Sequence, residues 1–259
     1  MTRIITIANQ KGGVGKTTTT VNIAAAMAQA GKTVLVIDLD PQGNATTALG
    51  IDHTEGIPGI YDVLMGETVL AEVITPCPDV PQLFGIPATI DLAGAEVELV
   101  STPNREHRLR EEIEQLLHTT HFDYIFLDCP PSLGLLTLNG LVAAREVLLP
   151  IQCEYYALEG LSQLLKTVDM IKEHLNPELY VTAIILTMYD GRTRLASQVA
   201  DEVRNHFGAR VLETIIPRNV RVSEAPSYGQ TVLTYDPASS GAVSYREAAA
   251  QLDIIQQTI

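Results

Sequence analysis

Lys11-Gly12-Gly13-Val14-Gly15-Lys16-Thr17-Thr18 follows a short β-branched run at residues 4–8 and opens a helical pattern over residues 16–30. Strand, glycine-rich loop and helix in that order are what a phosphate-cradling loop requires. Backbone N–H groups must approach the phosphate with no Cβ in the way. Gly12, Gly13 and Gly15 permit this, and the helix N-terminus adds the positive end of its dipole. Lys16 is spaced to reach β- and γ-phosphates, Thr17 to ligate Mg2+ through its hydroxyl, and Thr18 to donate on the α-phosphate side. The stretch departs from G-x-x-x-x-G-K-[ST] in one informative way: Gln10 stands five before Gly15, and Lys11 follows it.

Working outward, short apolar runs alternate with helical patterns, the signature of a parallel sheet with crossover helices. Strands are predicted at residues 4–8, 34–38, 98–100, 124–128, 147–151, 181–187 and 211–215. Most are apolar throughout, as expected of strands covered on both faces. Helices are predicted near residues 16–30, 105–118, 158–175, 194–207 and 244–255. With no repeat and no long linker, the expectation is an α/β fold: one P-loop domain over residues 1–259, with a mostly parallel twisted sheet and helices on both faces.

Composition narrows the possibilities. The 259 residues carry 17 Lys+Arg against 31 Asp+Glu, a formal charge of −14. Three cysteines (Cys77, Cys129, Cys153) make no paired disulfide framework, which favours a reducing cytoplasm. No apolar run reaches the roughly 18–20 residues that span a bilayer, and the N-terminus runs straight into the glycine-rich turn, unlike a signal peptide. The charge is unevenly placed. Residues 33–104 hold 11 acids and no Lys or Arg. Residues 183–223 hold six arginines (192, 194, 204, 210, 218 and 221) against four acids. An acidic total therefore does not exclude nucleic acid.

Two further segments end predicted strands in acids: Asp38-Leu39-Asp40-Pro41-Gln42-Gly43 and Tyr124-Ile125-Phe126-Leu127-Asp128-Cys129-Pro130-Pro131. In a parallel sheet the carboxyl ends of the strands lie on one side, facing the phosphate loop. Together with K-G-G-V-G-K-T-T, these segments resemble the ParA/MinD superfamily of deviant Walker A ATPases. The resemblance implies ATP and Mg2+ as cofactors and catalysis by Lys11, Lys16 and Asp40. Lys11 would reach across a dimer to the partner's ATP, and Asp40 would orient the attacking water. Asp38, Asp40 and Asp128 would support the metal with Thr17, and residues 130–134 would form a mobile switch. Residues 85–96 and 216–227 extend the likeness, over nearly the whole chain, to Soj-type chromosomal ParA proteins. It places Pro217 and Asn219 near the adenine.

Fold alone does not select a cargo. A MinD-like membrane ATPase would end in a basic amphipathic helix, whereas residues 247–259 contain no Lys or Arg. An electron carrier needs cysteines placed to bridge a cluster across a dimer, and Cys129 reads as a small buried residue. DNA partitioning suits the late arginines: Arg192 and Arg221 first, then Arg218 and Arg194, match positions where Soj-like proteins carry DNA-binding arginines. No base-reading motif is evident, which suits binding without sequence preference. The resemblance thus implies an ATP-bound homodimer on non-specific DNA, no membrane, and a ParB-like centromere-binding partner that stimulates hydrolysis, at the nucleoid in the cytoplasm. A ParA-like ATPase that positions a protein organelle would share this chemistry. His118 and His121, after a helix end, read as a surface turn.

Overall fold

The computed structural model describes residues 2–154 and 157–255. Its strands are β1 (Arg3–Ile7), β2 (Val34–Asp38), β3 (Thr75–Pro76), β4 (Leu83–Ile86), β5 (Tyr124–Asp128), β6 (Glu146–Gln152), β7 (Tyr180–Tyr189) and β8 (Val211–Pro217). They form one eight-stranded sheet in the order β3-β4-β2-β5-β1-β6-β7-β8, parallel throughout except for the short antiparallel edge β3. The helices are α1 (Lys16–Gln29), α2 (Asn44–Ala48), α3 (Ile60–Met65), α4 (Leu70–Val73), α5 (Leu92–Glu98), α6 (Arg108–Leu117), α7 (Leu135–Ala143), α8 (Ala157–His174), α9 (Arg194–Phe207), α10 (Val220–Glu224), α11 (Val232–Tyr235) and α12 (Ser240–Ile255).

Alternate side chains of each strand feed opposite faces of the sheet. Ile5, Ile7, Val34, Val36 and Phe126 pack with α1 and α12 on one side. Leu35, Ile37, Ile125 and Leu127 pack under α3, α5, α6 and α7 on the other, where the β6–β8 half is covered by α8 and α9. Covering on both faces is why these strands read as unbroken apolar runs. Gly31, just past α1, takes a left-handed φ of 89° and ends the helix. Asn176 closes the chain after α8, its Nδ2 donating to the carbonyls of Leu141, Val142 and Ala144.

The strand expected at residues 98–100 is not one. Leu92, Ala95 and Leu99 are buried at helical spacing, so the segment is the end of α5 and a 3-10 turn over Leu99–Ser101. The strand beside β2 is instead β4, a run of four residues between Pro81 and Pro87 that includes Gly85. Gly85 is required there, because a Cβ would stand 2.4 Å from Ile51 Cδ1. The last helix begins four residues earlier than predicted, at Ser240. The helix α7 was not anticipated, being almost wholly apolar and without a polar face to mark its period.

Candidate functional site

Parallel register brings the predicted residues together. Asp38 and Asp128 are direct cross-strand partners at the ends of β2 and β5, and Ile7, the last residue of β1, lies opposite Asp128. The phosphate loop therefore leaves β1 beside both carboxylates. Gly13 and Gly15 hold φ values of 74° and 88°, a conformation that side-chain-bearing residues adopt at a cost, and Gly15 caps α1. The Asn9 side chain braces the loop entrance, accepting from the Lys11 N–H at 3.0 Å and donating to the Pro150 carbonyl at 2.8 Å. Thr187 on β7 donates to the Val14 carbonyl at 2.8 Å.

Asp128 is held by α1: Thr17 Oγ1 donates to its Oδ2 at 2.7 Å and Thr20 Oγ1 to its Oδ1 at 2.8 Å. Asp38 accepts from the Asp40 N–H at 3.1 Å and from the Thr46 N–H and hydroxyl at 2.9 and 2.8 Å. Burial pushes both carboxyls above their ordinary value, reinforced at Asp38 by the Asp128 charge and at Asp128 by the Asp40 charge. Burial likewise draws the Lys16 ammonium down, opposed by Asp128 and Asp40. Asp40 is buried, its Oδ1 accepting from the Gln42 N–H at 3.0 Å. Lys11 turns away from this cluster to Glu154, 2.7 Å distant and half exposed.

The loop opens into a cleft of about 440 Å³ whose walls include Gly12, Lys16, Thr17, Asp40, Pro131 and Val222. A hollow of about 180 Å³ adjoins it, sharing Gly15, Thr18, Met188 and Val222, and is walled by Pro217 and Asn219. Met188 carries a positive φ of 51° there, a strained position at the junction of the two spaces. The oxygen donors fit Mg2+, which takes one or two protein oxygens and fills its octahedron with phosphate and water. Among the described residues no group of three or more His, Cys, Asp or Glu could hold a metal alone. His118 is exposed and, like His121, belongs to no such cluster. The three cysteines are buried and unpaired.

Thr20, Thr46, Asn9 and Thr187 escaped sequence reasoning. Thr20 had a signal in its four-residue spacing from Lys16, whereas Thr46 and Thr187 reach the site only through tertiary packing. The arginines cluster at the same end of the sheet. Tyr189 and Pro217 are register partners, and the Arg218 N–H donates to the Tyr189 carbonyl at 2.9 Å. The turn with Arg192 that leads into Arg194 at the start of α9 thus lies beside the segment with Arg218 that leads into Arg221 of α10. All four arginines are exposed.

A family profile described as an AAA domain matches residues 2–181. The sporulation initiation inhibitor protein Soj of Bacillus subtilis (strain 168) is 52% identical over 252 residues, covering 97% of this chain and 98% of that protein. The chain belongs to the ParA/MinD superfamily, among its Soj-like members. The chromosome partitioning protein ParA of Myxococcus xanthus (strain DK1622) is likewise 52% identical, over 96% of this chain and 87% of that one. Among solved structures, cobyrinic acid a,c-diamide synthase from Mycobacterium smegmatis with bound ADP and magnesium has 38% identity and a TM-score of 0.85, covering 100% of the Soj-like chain and 96% of its own. Among the described residues, no helix of the Soj-like chain is long and apolar enough to cross a membrane.

Proposed function

We propose that this chain is an ATP-hydrolysing partitioning protein whose ATP-bound homodimer binds DNA without sequence preference, and whose release follows hydrolysis stimulated by a ParB-like partner. The observation that carries the reading is the convergence of the glycine loop, Lys16, Thr17 and Asp40 on one cleft, with Asp128 buried behind Thr17, in a chain 52% identical to Soj over nearly its whole length. The amidation named for the 38%-identical structure is not carried over, because the more similar, near-full-length relatives are partitioning proteins.

In this reading the amides of residues 12–18, including Val14, cradle the phosphates and Lys16 neutralises the β/γ oxygens. Mg2+, when bound, would supply charge neutralisation to the phosphates, and Thr17, braced by Asp128, would help hold it. Asp38 uses both oxygens on Thr46 and Asp40 backbone and side-chain donors, so it shapes the turn that presents Asp40. Asp40 orients the attacking water. Pro217 and Asn219 border the adenine. Lys11, directed out of its own cleft, serves the partner's nucleotide. Ile90, Val97, Val100 and Leu133 support a dimer, being apolar side chains exposed by 66%, 76%, 57% and 40% around the switch loop. Arg192, Arg194, Arg218 and Arg221 supply phosphate contacts that dimerisation doubles, and counterion release makes affinity climb steeply with their number. The working place of such a cycle is the nucleoid in the cytoplasm.

An ATPase assay with DNA and a ParB-like protein, added singly and together, tests the cycle. Stimulation is expected to be greatest with both, and indifference to both overturns it. Lys16→Ala is expected to abolish nucleotide binding. Asp40→Ala is expected to keep ATP and accumulate as a DNA-bound dimer, and equal loss of dimer and DNA in that variant removes the role given to Asp40.

A further inference from the structure

Two of the four arginines already hold anions. Arg192 closes back on Asp190, donating from Nε to Oδ1 and from Nη2 to Oδ2, each at 2.8 Å. Arg221 donates from Nη1 to Glu224 Oε2 at 2.9 Å, and its Nε stands 3.4 Å from Asp236 Oδ2. Tyr235 supports the second cluster, its hydroxyl donating to the same Glu224 oxygen while its ring stacks on Tyr228. A guanidinium fork on a carboxylate has the same geometry as one on a phosphate, so these acids occupy the N–H groups that a DNA backbone would use.

We infer that Asp190 and the Glu224–Asp236 pair are built-in counter-anions that hold down the DNA affinity of this face, a phosphate having to displace them from Arg192 and Arg221. The inference rests on the DNA reading of these arginines. Exposed ion pairs are weak, so the exchange is readily reversible. The displaced carboxylate stays within a Debye length of the incoming phosphate and opposes it. Asp190 sits at the turn into α9, and Glu224 ends α10, the short helix whose Val222 walls the nucleotide cleft. Masking of this kind leaves one subunit with too few free phosphate contacts and makes the doubled patch of a dimer necessary.

The test is a fluorescence-anisotropy titration of a random-sequence DNA duplex with the full chain, ATP and Mg2+, repeated over a salt series. Asp190→Asn and Glu224→Gln keep shape and an acceptor oxygen while removing the charge. Each is expected to tighten Kd by about two- to five-fold, the scale of one exposed pair, with affinity for a fluorescent ATP analogue unchanged. Asp236→Asn, alone, provides a second reading at Arg221 and is expected to move Kd in the same direction. An unchanged Kd in all three overturns the inference, as does an equal gain from Glu111→Gln on the distant α6, which would mark a bulk charge effect. Arg192→Ala/Arg221→Ala separates the two levels. If it loses DNA while the acid variants do nothing, the counter-anions alone are disproved; if it binds DNA like the parent, the DNA reading falls and takes the inference with it.

Discussion

Thr17 donates its hydroxyl to Asp128 from the second position of α1, and in the proposed site the same hydroxyl would also serve Mg2+. Removing the hydroxyl takes away the brace on Asp128 and, in the proposed site, one ligand of the metal, while leaving the glycine-loop backbone in place. Thr17→Val is therefore expected to weaken Mg2+-dependent ATP binding by about 10–100-fold, with much less change when EDTA is present. A fluorescent-nucleotide titration with and without chelator measures both. An equal loss in the two conditions would assign Thr17 to the cradle and not to the metal. The strand–loop–helix that carries Lys16, Thr17 and the glycines was legible because it is local, one loop and the first turn of one helix. Thr46 was not legible, since its bonds to Asp38 depend on how α2 returns to β2.

At the scale of elements, α7 lies close on the sheet because Gly140 has no side chain. A Cβ there would stand 2.9 Å from Cys129 Sγ and 3.1 Å from Leu39 Cδ1, and the Gly140 carbonyl accepts from Thr6 Oγ1 at 2.7 Å. Gly140→Ala is expected to cost about 1–3 kcal/mol by overpacking, read as a lower urea midpoint. The opposite end of the sheet is tied by Arg3. It donates to both Glu146 oxygens, at 2.8 and 2.5 Å, and to the Leu252 carbonyl of α12 at 2.8 Å. Tyr124 adds a hydrogen bond from the neighbouring strand to Asp253. Both ends of the Arg3–Glu146 pair are buried. Arg3→Met strands a buried carboxylate, and a loss of about 3–5 kcal/mol in urea unfolding is expected. A change below about 1 kcal/mol would show that Glu146 finds water or another donor.

For the whole molecule, the proposed dimer gives the exposed apolar residues of the α5 segment a place to be tested. Ile90, Val97 and Val100 stand on the outer side of the α5 segment, whose other side buries Leu92, Ala95 and Leu99. Glu96, between them, lies against Gly134 of the switch loop, where a Cβ would stand 1.8 Å from its Oε1. A face so close to the switch would be covered by a second copy. Ile90→Asp/Val97→Asp is expected to weaken ATP-dependent dimerisation at least about tenfold, from the lost burial of two aliphatic side chains. Light scattering after size exclusion measures this, with the thermal midpoint of the monomer unchanged. A dimer that survives the double substitution would move the interface elsewhere.

The sequence by itself determined the strand–loop–helix, the fold class, the acids that end two strands and the uneven charge, because each depends on neighbours within a few residues or on a simple period. It misplaced the strand beside β2, where four residues between prolines competed with an apolar segment whose true period is helical. Only the tertiary structure paired Asp38 with Asp128 across two strands, set Thr20 and Thr46 against them, and brought the Arg192 and Arg221 segments side by side. It also decided the company those arginines keep. Parallel pairing joins residues far apart in the chain, and no local pattern records which carboxylate a surface guanidinium will find.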